Sequence, residues 1–189
     1  MKWTQVSHGL TEVLAKSTAP RSPGLHVSEI YNRFYQKLEP KRYQANSVPN
    51  PVKLAMGLAW ESHLERCFLA SGLQVERPPE FTTREGIAFS PDLLMVNGHD
   101  RIGEIKLTWM SSRASIDDPK FGKWLTQCKV YGHHLEIPRI TLFPTFVNGN
   151  YKEQRDPELQ AIEIEFTARE MREEWEMLKG FAEAEGMLA

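Results

Sequence analysis

Apolar residues recur along this chain with two periods, and the changes between them mark where helices give way to strands. From Ser28, the segment SEIYNRFYQKLEP sets Ile30, Phe34 and Leu38 four residues apart, so it predicts a short amphipathic helix with Ser28 as N-cap, closed by Pro40. The stretch APRSPG before it is an irregular lead-in, and KRYQANSVPNP after it is a polar connector. A longer helix is expected over about 52–70, with Leu54, Leu58, Leu64 and Phe68 as its apolar positions, Glu61 in its middle and Gly72 as its stop. A short strand follows at 73–76, and Pro78-Pro79 breaks it. The segments GIAFSPDLLMV and RIGEIKLTW, joined by the turn NGHD, form the best hairpin in the sequence.

The order Asp117-Asp118-Pro119 is that of a helix start, and this helix should run to about Leu135. Two strands come next, RITLFPTFV and AIEIEF, separated by the loop NGNYKEQRDP. The second alternates strictly, which puts Ile162, Ile164 and Phe166 on one buried face. Thr167 followed three residues later by Glu170 is a capping box, and it opens a last helix with Met171, Trp175 and Leu178 as its apolar stripe. Helix, three strands, helix, strand, strand, helix is the pattern of an α/β protein with a mixed central sheet flanked by helices.

Composition narrows this picture without naming a function. The 189 residues, 41% of them hydrophobic, suffice for one domain with an ordinary core. A net charge of -2 excludes binding nucleic acid by bulk positive charge, but it leaves room for an acidic metal site balanced by local basic residues. Only Cys67 and Cys128 are present, far apart, so neither a disulfide framework, a zinc ribbon nor a four-cysteine iron–sulfur cluster is expected. The N-terminal residues lack a long apolar run, which predicts a cytoplasmic protein without a membrane partner.

The hairpin carries the chemistry. If Asn97, Gly98 and His99 form a three-residue loop, Val96 pairs with Asp100 and Asp92 lies directly opposite Glu104. Opposed residues on antiparallel strands have Cβ atoms about 4.5–5.5 Å apart, so one divalent cation could be shared between the two carboxylates. Alternation puts Lys106 on the face of Glu104 and Ile105 on the other. Two acids and a lysine on one face are costly without a counter-charge. A hard cation, Mg²⁺ or Mn²⁺, would remove that cost, and Lys106 would orient or help deprotonate an attacking water. The plain alternative is a solvated surface hairpin, and a bare Glu-x-Lys would mean little.

In company, these residues resemble the PD-(D/E)XK nuclease superfamily: Pro91-Asp92, eleven intervening residues, then Glu104-Ile105-Lys106. The helix after the strands adds Gln127-Cys128-Lys129-Val130-Tyr131, which is similar to the QxxxY motif of the RecB-like and phage exonuclease branch. A spacing of four puts Gln127 and Tyr131 on one helix face, about 40° apart. The resemblance implies a restriction-endonuclease-like αβββαβ core over 51–189, preceded by an N-terminal helical extension over 1–50. It implies a metal-dependent deoxyribonuclease, an exonuclease of phage or recombination and repair type, in which Asp92, Glu104 and the Ile105 carbonyl hold Mg²⁺ or Mn²⁺ and Glu61 assists. On that helix His63 and Glu65 rival Glu61. The products implied carry 5′-phosphate and 3′-hydroxyl ends. No P-loop is present, so translocation would fall to a recombination or helicase partner or to a homo-oligomeric ring.

Trp109, Arg113, Lys120, Lys123 and Lys129 follow the catalytic strand and form a candidate phosphate-binding rim for DNA, with an ordinary charged surface as the alternative. Arg33, Lys37, Lys41 and Arg42 make the first helix and its connector locally basic, a candidate DNA clamp. His133-His134 lacks a third ligand and is read as non-metal. The competing functions are a catalytically silent nucleic-acid-binding module of the same fold and a sequence-specific endonuclease.

Overall fold

The hairpin anticipated from the alternation lies at the centre of the architecture. A computed structural model of the chain describes residues 22–43, 50–95, 101–153 and 156–188. The lead-in before residue 22, the connector residues 44–49 and the turn at Asn97 to His99 lie outside them. The elements are α1 (Val27–Leu38), α2 (Pro51–Ala70), β1 (Val75–Glu76), β2 (Phe81–Thr82), β3 (Ala88–Phe89), β4 (Leu93–Met95), β5 (Arg101–Thr108), α3 (Gly122–Leu135), β6 (Arg139–Phe146), β7 (Glu158–Leu159), β8 (Ile162–Glu165) and α4 (Ala168–Ala184). The six-stranded sheet has the order β1-β4-β5-β6-β7, with β8 also on β6. β5 and β6 run parallel and the other pairs are antiparallel, so the sheet is mixed and the chain is an α/β protein.

The two sheet faces are covered differently. On one, Ile102, Ile140 and Leu142 pack with Val27 and Ile30 of α1, Val130 and Tyr131 of α3, and Met171, Trp175 and Leu178 of α4. On the other, Ile105, Leu93 and Phe143 pack against Leu64 of α2, with Trp60 and Phe68 beside it. The alternation along β5 therefore sends Ile105 to the α2 side and Glu104 to the α3 side, as period two requires.

Several boundaries depart from the sequence reading for identifiable reasons. The N-cap of α1 is His26, not Ser28, and it makes no side-chain cap hydrogen bond. Leu54 and Leu58 of α2, expected in the core, are 43% and 38% exposed. α2 is apolar nearly all round, and only the face with Trp60, Leu64 and Phe68 meets the sheet. Asn50 caps it through the backbone N–H groups of Val52 and Lys53, and Gly72, at a φ of 85°, ends it. The first hairpin arm is interrupted: Ala88–Phe89 pairs with Phe81–Thr82 in a separate two-stranded sheet, and the main sheet is joined only from Leu93. Asp118 does cap a helical turn, but that turn is a 3₁₀ segment, Pro119–Phe121, before α3 begins at Gly122. β7 forms just after the predicted loop, and the Thr167–Glu170 capping box is present on α4.

Candidate active site

β5 is eight residues long and β4 only three, and that difference opens the site. Leu93 pairs with Gly103, Leu94 with Ile102 and Met95 with Arg101, so one further step of this register sets Asp92 opposite Glu104. Beyond that step β5 keeps β6 on one side, from Glu104↔Leu142 to Thr108↔Phe146, while its other edge has no strand partner among the described residues. Asp92 takes the place of the missing strand: its Oδ2 accepts a hydrogen bond from the Ile105 N–H at 2.8 Å.

Glu104 lies on the neighbouring face and is 1% exposed. Its Oε1 accepts from Lys106 Nζ at 2.5 Å and from Gln127 Nε2 at 2.7 Å, while its Oε2 is buried with no partner among the described residues. Gln127 is a hub: it also donates to the Tyr131 hydroxyl at 2.9 Å, and its Oε1 accepts from Lys106 Nζ at 3.0 Å and from the Tyr31 hydroxyl at 3.4 Å. The four-residue spacing of Gln127 and Tyr131 thus puts both on the α3 face that meets β5, and both are buried.

The carboxylates strain against one another. Burial, then the charge of Asp92, lifts the Glu104 carboxyl to about 8, against the pull of Lys106. The same two causes lift Glu61 to about 7. For Lys106 burial works against the ammonium, but the Glu104 and Asp92 carboxylates outweigh it and hold the proton well above the ordinary lysine range. Burial raises the Tyr131 phenol, so it acts as a neutral hydrogen-bonding group.

These residues wall a cavity of about 330 Å³ together with Leu54, Leu58 and Ser90. Of the three candidates on α2, Glu61 lines it; Glu65 pairs with Arg77 at 3.0 Å, and the exposed His63 lies 3.5 Å from Cys67 Sγ. Among the described residues, no three His, Cys, Asp or Glu side chains are placed to hold a metal as they stand; Asp92 accepts from the Ile105 N–H and Glu104 from Lys106. The donor chemistry nevertheless fits a hard divalent cation: the candidate atoms are all oxygens, and Glu104 Oε2 lacks a partner among the described residues.

The sequence reading missed Tyr31. It sits on α1, 96 residues from Gln127 in sequence, lines the cavity and reaches the Gln127 amide; its one signal was a place on the predicted first helix. The predicted rim separates into parts. Trp109 and Lys120 share a groove with Lys53 and Tyr151. Arg113 pairs with Glu153, Lys123 donates to Asn32 at 2.9 Å and lies over the Tyr43 ring at 4.0 Å, and Lys129 pairs with Glu174 at 3.0 Å. On α1 and the residues after it, Lys37 pairs with Glu185 and Arg42 with Glu39, while Arg33 and Lys41 are exposed. His134 packs edge-on to Trp175, and burial and then His133 lower it to about 4. No helix among the described residues is long and apolar enough to cross a membrane.

No family model matches the sequence, and no curated protein matches it. Solved structures do share its fold. The alkaline exonuclease of Laribacter hongkongensis is 17% identical, with a TM-score of 0.55 over 93% of each chain. The same exonuclease in complex with dAMP gives 17% and 0.51, over 86% of this chain and 89% of the other. A phage-related exonuclease from Haemophilus somnus 129PT is 13% identical with a TM-score of 0.54, over 82% of this chain and 78% of its own. At these identities the likeness is one of fold: a mixed sheet flanked by helices, similar to that of exonucleases.

Proposed function

We propose that this chain is a divalent-metal-dependent nuclease of the PD-(D/E)XK type, in the RecB-like and phage exonuclease branch, that hydrolyses phosphodiester bonds of DNA. The observation that carries the reading is the meeting of Asp92, Glu104 and Lys106 at the open edge of β5, where Glu104 is buried with one oxygen unpartnered. A buried acid in that state is costly to the fold and is explained by a ligand that needs it. The exonuclease names of the fold neighbours, one bound to dAMP, support DNA as substrate and attack from an end.

Asp92, Glu104 and the Ile105 carbonyl would hold Mg²⁺ or Mn²⁺, with Glu61 assisting across the cavity. Bound there, the cation supplies Lewis acidity toward a phosphate oxygen and lowers the pKa of a coordinated water. The chain's own residues do the rest. In hydrolysis a water oxygen bonds to phosphorus and gives up one proton to solvent, the P–O3′ bond breaks, and the departing 3′ oxygen takes one proton from solvent. Lys106 presents an ammonium beside that centre, where it aligns the water and offsets the negative charge that grows on the phosphoryl oxygens. Gln127 fixes Lys106 and Glu104 relative to each other through its amide. Tyr131 and Tyr31 hold that amide in turn.

Incubation with linear and covalently closed circular DNA in Mg²⁺ or Mn²⁺ tests the reading. Linear DNA should be degraded and closed circles spared, with Lys106→Ala slower by on the order of 10²–10³. No cleavage by the wild-type protein, or full activity in Lys106→Ala, would overturn it.

A further inference from the structure

Glu104, Lys106 and Thr108 alternate along β5 and therefore face the same side, with Thr108 about 7 Å beyond Lys106. A separate groove of about 590 Å³ lies at Thr108, lined also by Lys53 in the first turn of α2, Lys120 in the 3₁₀ turn before α3, Trp109 and Tyr151. Helix α2 lines the catalytic cavity through Glu61 and this groove through Lys53 in its first turn. Among the described residues no acidic side chain lines it. Lys120 is mostly exposed and stands 3.7 Å from Asp118, a loose pair. Lys53 Nζ lies 4.8 Å from the centre of the Trp109 ring, and Tyr151 is 47% exposed.

Two aromatic rings and two ammonium groups, gathered at Thr108 two residues along β5 from Lys106, make a site for an unpaired polynucleotide. Rings stack on bases whose faces are free, as they are in a single strand and not in a duplex, while the lysines follow the phosphates. From this we infer that the groove of Lys53, Trp109, Lys120 and Tyr151 binds the single-stranded part of the substrate next to the site of cleavage, by stacking and without reading sequence. The inference rests on the nuclease reading for its choice of ligand, but the groove can be tested without catalysis.

Fluorescence anisotropy of labelled dT12 in EDTA provides that test. Trp109→Ala and Tyr151→Ala should each weaken binding on the order of ten-fold. Lys53→Gln and Lys120→Gln should flatten the salt dependence of the affinity. A blunt, fully paired hairpin of equal charge should bind less well than dT12 and be indifferent to Tyr151→Ala. Because Tyr151 is exposed, its variant keeps the test open even if Trp109→Ala does not fold. Unchanged dT12 affinity in Tyr151→Ala, or competition by inorganic polyphosphate as strong as that by unlabelled dT12, would overturn the inference, the latter by reducing the groove to charge alone. Cleavage of linear DNA without any effect of these variants sinks the groove and spares the nuclease. Binding through these residues with no cleavage in Mn²⁺ does the reverse.

Discussion

Raising the pH of the metal-free protein should weaken its fold, and the cause lies in two buried carboxyls. Glu104 is lifted to about 8 and Glu61 to about 7, each by burial first and by the charge of Asp92 second, against an ordinary value of 4.5. Between 4.5 and 8 the folded protein therefore holds protons that the unfolded chain has released. Stability contributed in this way is complete below the unfolded value and is lost as pH rises through the folded ones. His134 acts with the opposite sign. Burial and then His133 depress it to about 4 from 6.5, so its contribution is present above 6.5 and is lost as pH falls through the folded value. The two effects oppose each other below 6.5, and the window from 6.5 to 8 isolates the carboxyls. Across it the deprotonation of Glu104 costs about 1.5 kcal/mol, with a smaller, solvent-screened addition from half-buried Glu61. For a chain of this length that is a fall in Tm of roughly 3–6 °C, measurable by calorimetry in EDTA at constant ionic strength. Glu104→Gln should flatten the slope. Mg²⁺ at a hundred times its Kd should add about 2.7 kcal/mol at the upper end of the window. A Tm that is flat or rises from pH 6.5 to 8 in EDTA, or a slope unchanged in Glu104→Gln, would refute the reasoning.

Tyr31→Phe removes one hydrogen bond to Gln127 and should slow single-turnover cleavage by about five-fold, a loss of about 1 kcal/mol. In a Gln127→Met background the same change should be silent; additive effects would mean that Tyr31 acts elsewhere. Gly132→Ala should lower the unfolding free energy by about 1–3 kcal/mol, read as a lower urea midpoint at an unaltered m-value, because an added Cβ would lie 2.7 Å from the Ile137 carbonyl oxygen and 2.6 Å from Met171 Sδ. Asn50→Ala should cost about 1 kcal/mol in the same assay, since the Asn50 side chain accepts from two backbone N–H groups at the start of α2.

What could be read in advance divides by the range over which each feature is decided. The opposition of Asp92 and Glu104 follows from a hairpin register and a period of two, both local, and the observed pairs agree with it. The shared face of Gln127 and Tyr131 follows from helix geometry alone. α2 was harder to orient. With Val52, Leu54, Met56, Leu58, Leu64 and Phe68 distributed round it, periodicity cannot say which side meets the sheet, and Leu54 and Leu58 turn out to face the cleft. Tyr31 was out of reach for a different reason. Its contact with Gln127 depends on α1 lying against α3, a packing that no repeat or motif in either segment encodes. The packing of α1 and α4 on α3 explains why the basic rim divided: Lys123 is held by Asn32 and Tyr43 from the α1 side and Lys129 by Glu174 of α4, while Lys120, loosely paired with Asp118, lies with Lys53 at the groove. A positive residue in sequence is a candidate for phosphate only until the fold assigns it a partner. Which lysines keep that role is therefore decided by the helices that pack on α3, and the residues of α1 belong to the physical account of the site although no motif covers them.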